Sequence, residues 1–143
     1  VRPVELDELI SQSDYLTIQA PLTSQTRHLF NDTTLARMKP TAILVNTARG
    51  PIVEDSALDR ALQRGVIAGA ALDDLEEEPA KHRGWTPDNP LLRNPNVIVT
   101  PHAAYYSEES IQAIRTIAAT EAVRVLSGLS PRSPVNHIEH GRT

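Results

Sequence analysis

Short apolar runs of strand length in this chain end, one after another, in turns that carry a charged or titratable side chain. Ile43-Leu44-Val45-Asn46 runs into Thr47-Ala48-Arg49-Gly50. Ala68 to Leu72 runs into Asp73 and the acidic cluster Glu76-Glu77-Glu78-Pro79, and Val97-Ile98-Val99 runs into Thr100-Pro101-His102. Apolar runs of this kind, separated by stretches with helical spacing, predict a parallel sheet whose strands are joined by right-handed helical crossovers. In such an open sheet, ligands sit beyond the carboxyl ends of the strands. The pattern therefore places an arginine, carboxylates and a histidine on one rim, with the arginine aimed at an anion.

The rest of the chain fits that frame. Val4, Leu6, Leu9 and Ile10 have roughly helical spacing before the β-prone run Tyr15-Leu16-Thr17-Ile18, which stops at the loop Ala20-Pro21-Leu22-Thr23. Asn31 or Asp32 can cap a short helix through Leu35 to Met38, with Pro40 forcing the chain out of it. From Glu54 onward, Ala57, Leu58, Ala61 and Leu62 form one apolar face, and Gly65 stands where a residue of positive φ would close the helix. Asp74 to Pro95 shows no convincing periodicity, and so long an unstructured connection marks a candidate active-site border. Ile111, Ile114, Ala118, Ala122 and Val125 predict the longest helix over 107–126, ended by Gly128, with a polar, extended tail beyond.

The expected architecture is α/β: half of a doubly wound, Rossmann-like parallel sheet with helices on both faces. The six glycines cannot form the G-x-G-x-x-G turn that cradles phosphates, so the sheet reads as cut in two.

Composition narrows the function. A chain of 143 residues, 40% of them hydrophobic, can bury the core of one compact domain. With a net charge of −4 and scattered basic residues, neither nucleic acid nor an anionic membrane is expected as a direct partner. No apolar run is long enough to span a bilayer. The absence of cysteine removes disulfides and thiolate chemistry and fits a reducing, cytoplasmic setting. No histidine and carboxylate spacing resembles a metal-ligand set.

Taken together, Asn46-Thr47-Ala48-Arg49-Gly50, Gly69-Ala70-Ala71-Leu72-Asp73 with Glu78-Pro79, and Thr100-Pro101-His102-Ala103-Ala104 resemble the signature blocks of the D-isomer-specific 2-hydroxyacid dehydrogenases. Ser13-Asp14 and Pro21-Leu22-Thr23 stand in the family's order, and the likeness runs from about Leu6 to Val135. The stretch from His102 to Glu108 looks most like the branch containing the C-terminal binding proteins, which act as corepressors. The likeness covers the second half of the family's nucleotide-binding domain, here 1–127. Residues 128–143 read as a tail leading back to a substrate domain outside this chain.

The resemblance implies an enzyme that interconverts 2-keto acids and D-2-hydroxy acids with NAD(H), as a homodimer. Carried over by position, it implies that Arg49 binds the substrate carboxylate, Glu78 is the acidic partner and His102 the proton donor and acceptor. The chemistry suits each role: arginine's planar fork pairs with a carboxylate bidentately, and histidine exchanges protons near neutrality. A carboxylate near the imidazole would favour its protonated form. Thr47, Ala48 and Asp73 are placed by the resemblance near the nicotinamide, with Arg49, His102 and Ala104 beside them and Pro21 and Thr26 along the rest of the dinucleotide. Gln19 stands where many relatives have histidine, Asp74 replaces a usual apolar residue, and Tyr105 stands where the corepressor branch often carries tryptophan.

Plainer roles exist for the same residues. Arg49 could cap a helix or pair with Glu54, Glu76 and Glu77 read as solvated loop charges, and His28, His82, His137 and His140 read as surface residues. A dinucleotide-sensing corepressor with little turnover is the alternative from another class. Lacking the phosphate turn, the chain by itself is expected to bind NAD weakly and to be inactive.

Overall fold

The computed structural model describes residues 2–77 and 88–135. The chain divides into two compact units, Val1–Ala104 and Tyr105–Thr143.

The first unit holds a parallel four-stranded sheet in the order β1-β2-β3-β4. Its strands are β1 (Tyr15–Ile18), β2 (Ile43–Asn46), β3 (Gly69–Leu72) and β4 (Val97–Val99). Strands laid side by side in sequence order step always in one direction, so right-handed crossovers all fall on the same face. That face carries the in-register rows Leu16, Leu44, Ala70, Val97 and Ile18, Asn46, Leu72, Val99. The helices α2 (Asp32–Leu35) and α3 (Asp55–Gln63), and a 3-10 turn at Pro90–Arg93, supply Leu35, Ala57, Leu58, Ala61, Leu62 and Leu91 to the core those rows form. Helix α1 (Leu6–Gln12) adds Ile10, and Arg37 after α2 holds Asp7 of α1 at 2.8 Å.

The opposite face of the sheet is open at its edges, where Tyr15 is 75% and Ile98 68% exposed. Of the two helical layers expected from the sequence, this unit supplies one, because all its described crossovers run the same way.

Local signals account for the ends of the elements. The Asn31 side chain accepts from the N–H groups of Thr33 and Thr34, and the Thr34 hydroxyl accepts from Asn31 N–H, forming a reciprocal cap on α2. Helix α2 stops at Leu35, a turn short of Met38. Gly65, at φ 66°, closes α3 in a Schellman motif: Val66 N–H donates to Ala61 O at 2.8 Å and Gly65 N–H to Leu62 O at 3.1 Å.

The second unit is built on α4 (Glu108–Leu126). Ser107 and Ser110 cap its start reciprocally, and Gly128, at φ 78°, ends it in the same motif as Gly65. No residue of α4 is buried. The described part of the tail folds back on the helix instead of extending from it, for Arg132 N–H donates to Glu121 Oε2 at 3.0 Å and Arg124 Nε to Ser130 O at 2.6 Å.

Candidate active site

Because all four strands are parallel, the residues that follow them emerge on one rim of the first unit. Pro21 and Thr26 follow β1, Thr47, Ala48 and Arg49 follow β2, Asp73 follows β3, and His102 and Ala104 follow β4. Glu78 lies outside the described residues, as do His82, His137 and His140.

The loop after β1 is closed on itself: the Thr26 hydroxyl donates to Pro21 O at 2.7 Å and accepts from Thr23 N–H at 2.8 Å. Gln19 bridges to the next strand end through a bond from its Nε2 to the Thr47 hydroxyl at 3.1 Å.

The Arg49 turn is braced from below by Asn46. This side chain occupies the apolar row between Ile18 and Leu72 yet is fully buried. Its Nδ2 donates to Arg49 O at 2.8 Å, and its Oδ1 accepts from Ala48 N–H at 3.0 Å. Both polar atoms are therefore satisfied, as burial demands. Arg49 itself is exposed, and its described bond runs to Ala48 O at 2.6 Å. Among the described residues it makes no ion pair, and Glu54 instead faces Arg60 at 3.7 Å. Gly50 passes so close to β3's exit that a β-carbon on it would stand 1.9 Å from Leu75 O.

Asp73 does the corresponding work one strand over. Its N–H donates to Asn46 O at 2.9 Å, which ties the exit of β3 to that of β2. Its buried carboxylate accepts from the Thr100 hydroxyl, from Ala103 N–H at 2.9 Å and from Ala104 N–H at 2.8 Å, while its carbonyl accepts from His102 N–H at 2.8 Å. Burial alone would raise its pKa, but the Thr100 hydroxyl, the two amides and the neighbouring His102 outweigh that and hold it below the usual carboxylate range. Asp73 is thus a fixed anion that shapes the turn around His102. Within that turn His102 has φ 53°, a left-handed conformation that non-glycine residues adopt at a cost and that clusters at functional sites.

Two readings from sequence change. His28 is half-buried and binds Glu76 through Nε2 at 2.5 Å, again from a left-handed backbone at φ 52°. Glu76 is correspondingly no free loop charge: Arg27 stands 3.6 Å from it, and its Oε2 accepts from Asp55 N–H at 3.3 Å. In return Asp55 Oδ2 accepts from Glu76 N–H at 3.2 Å and from Asn89 Nδ2 at 2.6 Å. A cavity of about 600 Å³ opens beside this knot, lined by Arg27, Asp55, Glu76 and Asn89 among others, and not by Arg49 or His102.

The bracing role of Asn46 was missed from the sequence. Asn46 had a signal: it falls in phase with Leu44, so strand alternation puts it on the buried face. Among the described residues no cluster of histidines and carboxylates could hold a metal ion, and no helix is long and apolar enough to cross a membrane.

Residues 1–104 match the family described as "D-isomer specific 2-hydroxyacid dehydrogenase, NAD binding domain". The chain is 45% identical over 132 residues to a glyoxylate reductase of Thermofilum pendens, covering 92% of this chain and 38% of that protein. It is 43% identical to a D-3-phosphoglycerate dehydrogenase of Methanocaldococcus jannaschii, covering 92% of this chain and 24% of that one. Among solved structures, a D-isomer specific 2-hydroxyacid dehydrogenase from Lactobacillus delbrueckii ssp. bulgaricus in its NAD complexed form superposes with a TM-score of 0.83 at 37% identity, over 92% of this chain and 43% of that chain. The chain thus spans less than half the length of each of these relatives. With the matched segment coinciding with the unit that carries the sheet and the rim, the chain belongs to the D-isomer specific 2-hydroxyacid dehydrogenases, as part of their NAD binding domain.

Proposed function

We propose that the protein containing this chain is an NAD-dependent oxidoreductase that reduces a small 2-keto acid, glyoxylate or a close analogue, to the D-2-hydroxy acid, and runs the reverse reaction. The observation that carries this reading is the presence of Arg49 and His102 on one rim of the sheet, each presented from a turn whose backbone is fixed by a buried polar side chain. Arg49 is exposed and forms an ion pair with no carboxylate among the described residues, so its fork is available to a substrate carboxylate. His102 gives a proton to the carbonyl oxygen in reduction and takes it back from the hydroxyl in oxidation. Glu78 is proposed as the acidic partner of His102.

The strand ends fit the nicotinamide half of a dinucleotide, with Thr47, Ala48 and Ala104 lining the rim and the closed Pro21 to Thr26 loop beside them. The chain's glycines offer no cradle for the pyrophosphate. NAD(H), when bound, supplies or accepts the hydride at the keto carbon. Asp73, spending both oxygens on its own turn, serves that end by holding it in shape. The whole protein is proposed to be a homodimer, as the resemblance implies, and to work in the cytoplasm, which the cysteine-free sequence fits. The relatives named above are reductases and dehydrogenases, which gives the corepressor alternative no support.

The test is oxidation of NADH by the full-length protein with glyoxylate, pyruvate and hydroxypyruvate. His102→Ala should lower kcat by about 10² to 10⁴ while leaving NADH affinity nearly unchanged. Equal losses in turnover and NADH binding would remove His102 from the proton transfer.

A further inference from the structure

Among the described residues, two buried side-chain oxygens have no hydrogen-bond partner, Oδ1 of Asp55 and Oδ1 of Asp74. Asp55 belongs to the knot with Glu76 and Asn89. Asp74 takes no part in the reaction described above, yet it is only 6% exposed. A carboxylate is an expensive way to fill a buried space, since an apolar side chain of similar size would need no donors. Its one described bond is therefore informative: Oδ2 accepts from the N–H of Gly50, the residue after Arg49, at 3.2 Å.

Successive residues leaving a strand point to opposite sides. Asp73 reaches the His102 turn on one side of β3, and Asp74 the Arg49 turn on the other. Gly50 is held between two groups of the same segment, with the Asp74 carboxylate on its amide and the Leu75 carbonyl against its α-carbon, where a β-carbon would come within 1.9 Å. Asn46 fixes the other side of the turn through Ala48 N–H and Arg49 O. With its guanidinium exposed, Arg49 has its direction set by its backbone, and a small tilt at the peptide joining it to Gly50 is magnified along the long side chain.

We propose that Asp74 is a positioning residue for Arg49, acting through the Gly50 amide and setting how well the guanidinium meets the substrate's carboxylate. This deepens the dehydrogenase reading and rests on the role given there to Arg49. Asp74 touches neither reactant. Its effect falls on substrate affinity and not on the proton transfer.

The test uses the full-length protein with Asp74→Ala and Asp74→Asn. The asparagine keeps an oxygen for the Gly50 amide and places its NH2 at the unpartnered position, so it also guards against a fold lost on truncation. Asp74→Ala should raise KM for glyoxylate roughly tenfold with kcat within about twofold and NADH affinity unchanged. It should also speed hydrogen exchange at the Gly50 amide, and Asp74→Asn should restore most of both. The proposal is overturned if Asp74→Ala leaves KM and Gly50 exchange as in the wild type, if it lowers kcat and NADH affinity along with substrate affinity, or if Asp74→Asn is no better than Asp74→Ala. If the wild-type protein turns over none of the 2-keto acids, the dehydrogenase reading fails by itself. Gly50 exchange in the two variants then still decides whether Asp74 holds the turn.

Discussion

Gly50 has no room for a side chain. A methyl group there would sit 1.9 Å from Leu75 O, 2.2 Å from Leu75 C and 2.8 Å from Glu76 N, all of them backbone atoms that cannot swing aside. Gly50→Ala should therefore destabilise the full-length protein by about 2–4 kcal/mol, read as a lower midpoint in chemical denaturation; an unchanged midpoint would mean that the two backbones do not touch. The positions of the candidate site residues along the sheet were legible before any coordinates. Arg49, Asp73 and His102 each stand at the end of an apolar run, and position at a strand end is a property of sequence. What braces them was not legible in the same way. The Asp74 bond to Gly50 and the Asp73 bonds to Ala103 and Ala104 join residues 24 to 31 apart, and no local pattern encodes such partners. The left-handed backbone of His102 is hidden for the same reason, because it follows from how Asp73 gathers the turn.

Strands and most helix ends were readable because their causes are local, the early stop of α2 at Leu35 being the exception. Asn31, Ser107, Gly65 and Gly128 each act within a few residues of themselves, and each cap or closure appears where its chemistry predicts. The single-sided arrangement of crossovers in the first unit needed the strand order, which no single segment carries. The start of α3 shows a contact of this long-range kind with a measurable consequence. Burial raises the Asp55 pKa from 3.8 to about 6, against the lowering effect of its bonds from Asn89 and Glu76 N–H, and the charges of Glu76 and Asp74 push it further up. A folded-state pKa above the unfolded one means that the folded protein holds the proton more tightly, so stability falls as pH rises from about 4 to about 6 and stays reduced above that. Asp55→Asn keeps an acceptor for both donors and removes the charge. It should be more stable than the wild type at neutral pH by about 1 kcal/mol, allowing for the part exposure of the group. The gain should shrink as the pH is lowered to about 4, and a variant no more stable at neutral pH would show that the carboxylate is not strained by burial.

At the scale of the whole molecule, the chain carries one half of a binding task. Its sheet presents the rim proposed above to take the reacting end of a dinucleotide, and its glycines lack the spacing of a phosphate turn. Residues 1–143 alone should bind NAD no more tightly than about millimolar and show no turnover, because a glycine turn of the spacing that cradles a pyrophosphate is missing from their sequence. Calorimetry finding micromolar binding would overturn that expectation. The rim also divides its labour in a way that bears on how such a protein can change. The amides of Ala48, Gly50, His102, Ala103 and Ala104 are already engaged with Asn46, Asp73 and Asp74. These five amides are spent within the protein, which leaves the side chains of the rim a larger share in meeting an arriving molecule. Selectivity can then drift by exchanging the outward-facing residues one at a time, over a foundation that stays the same.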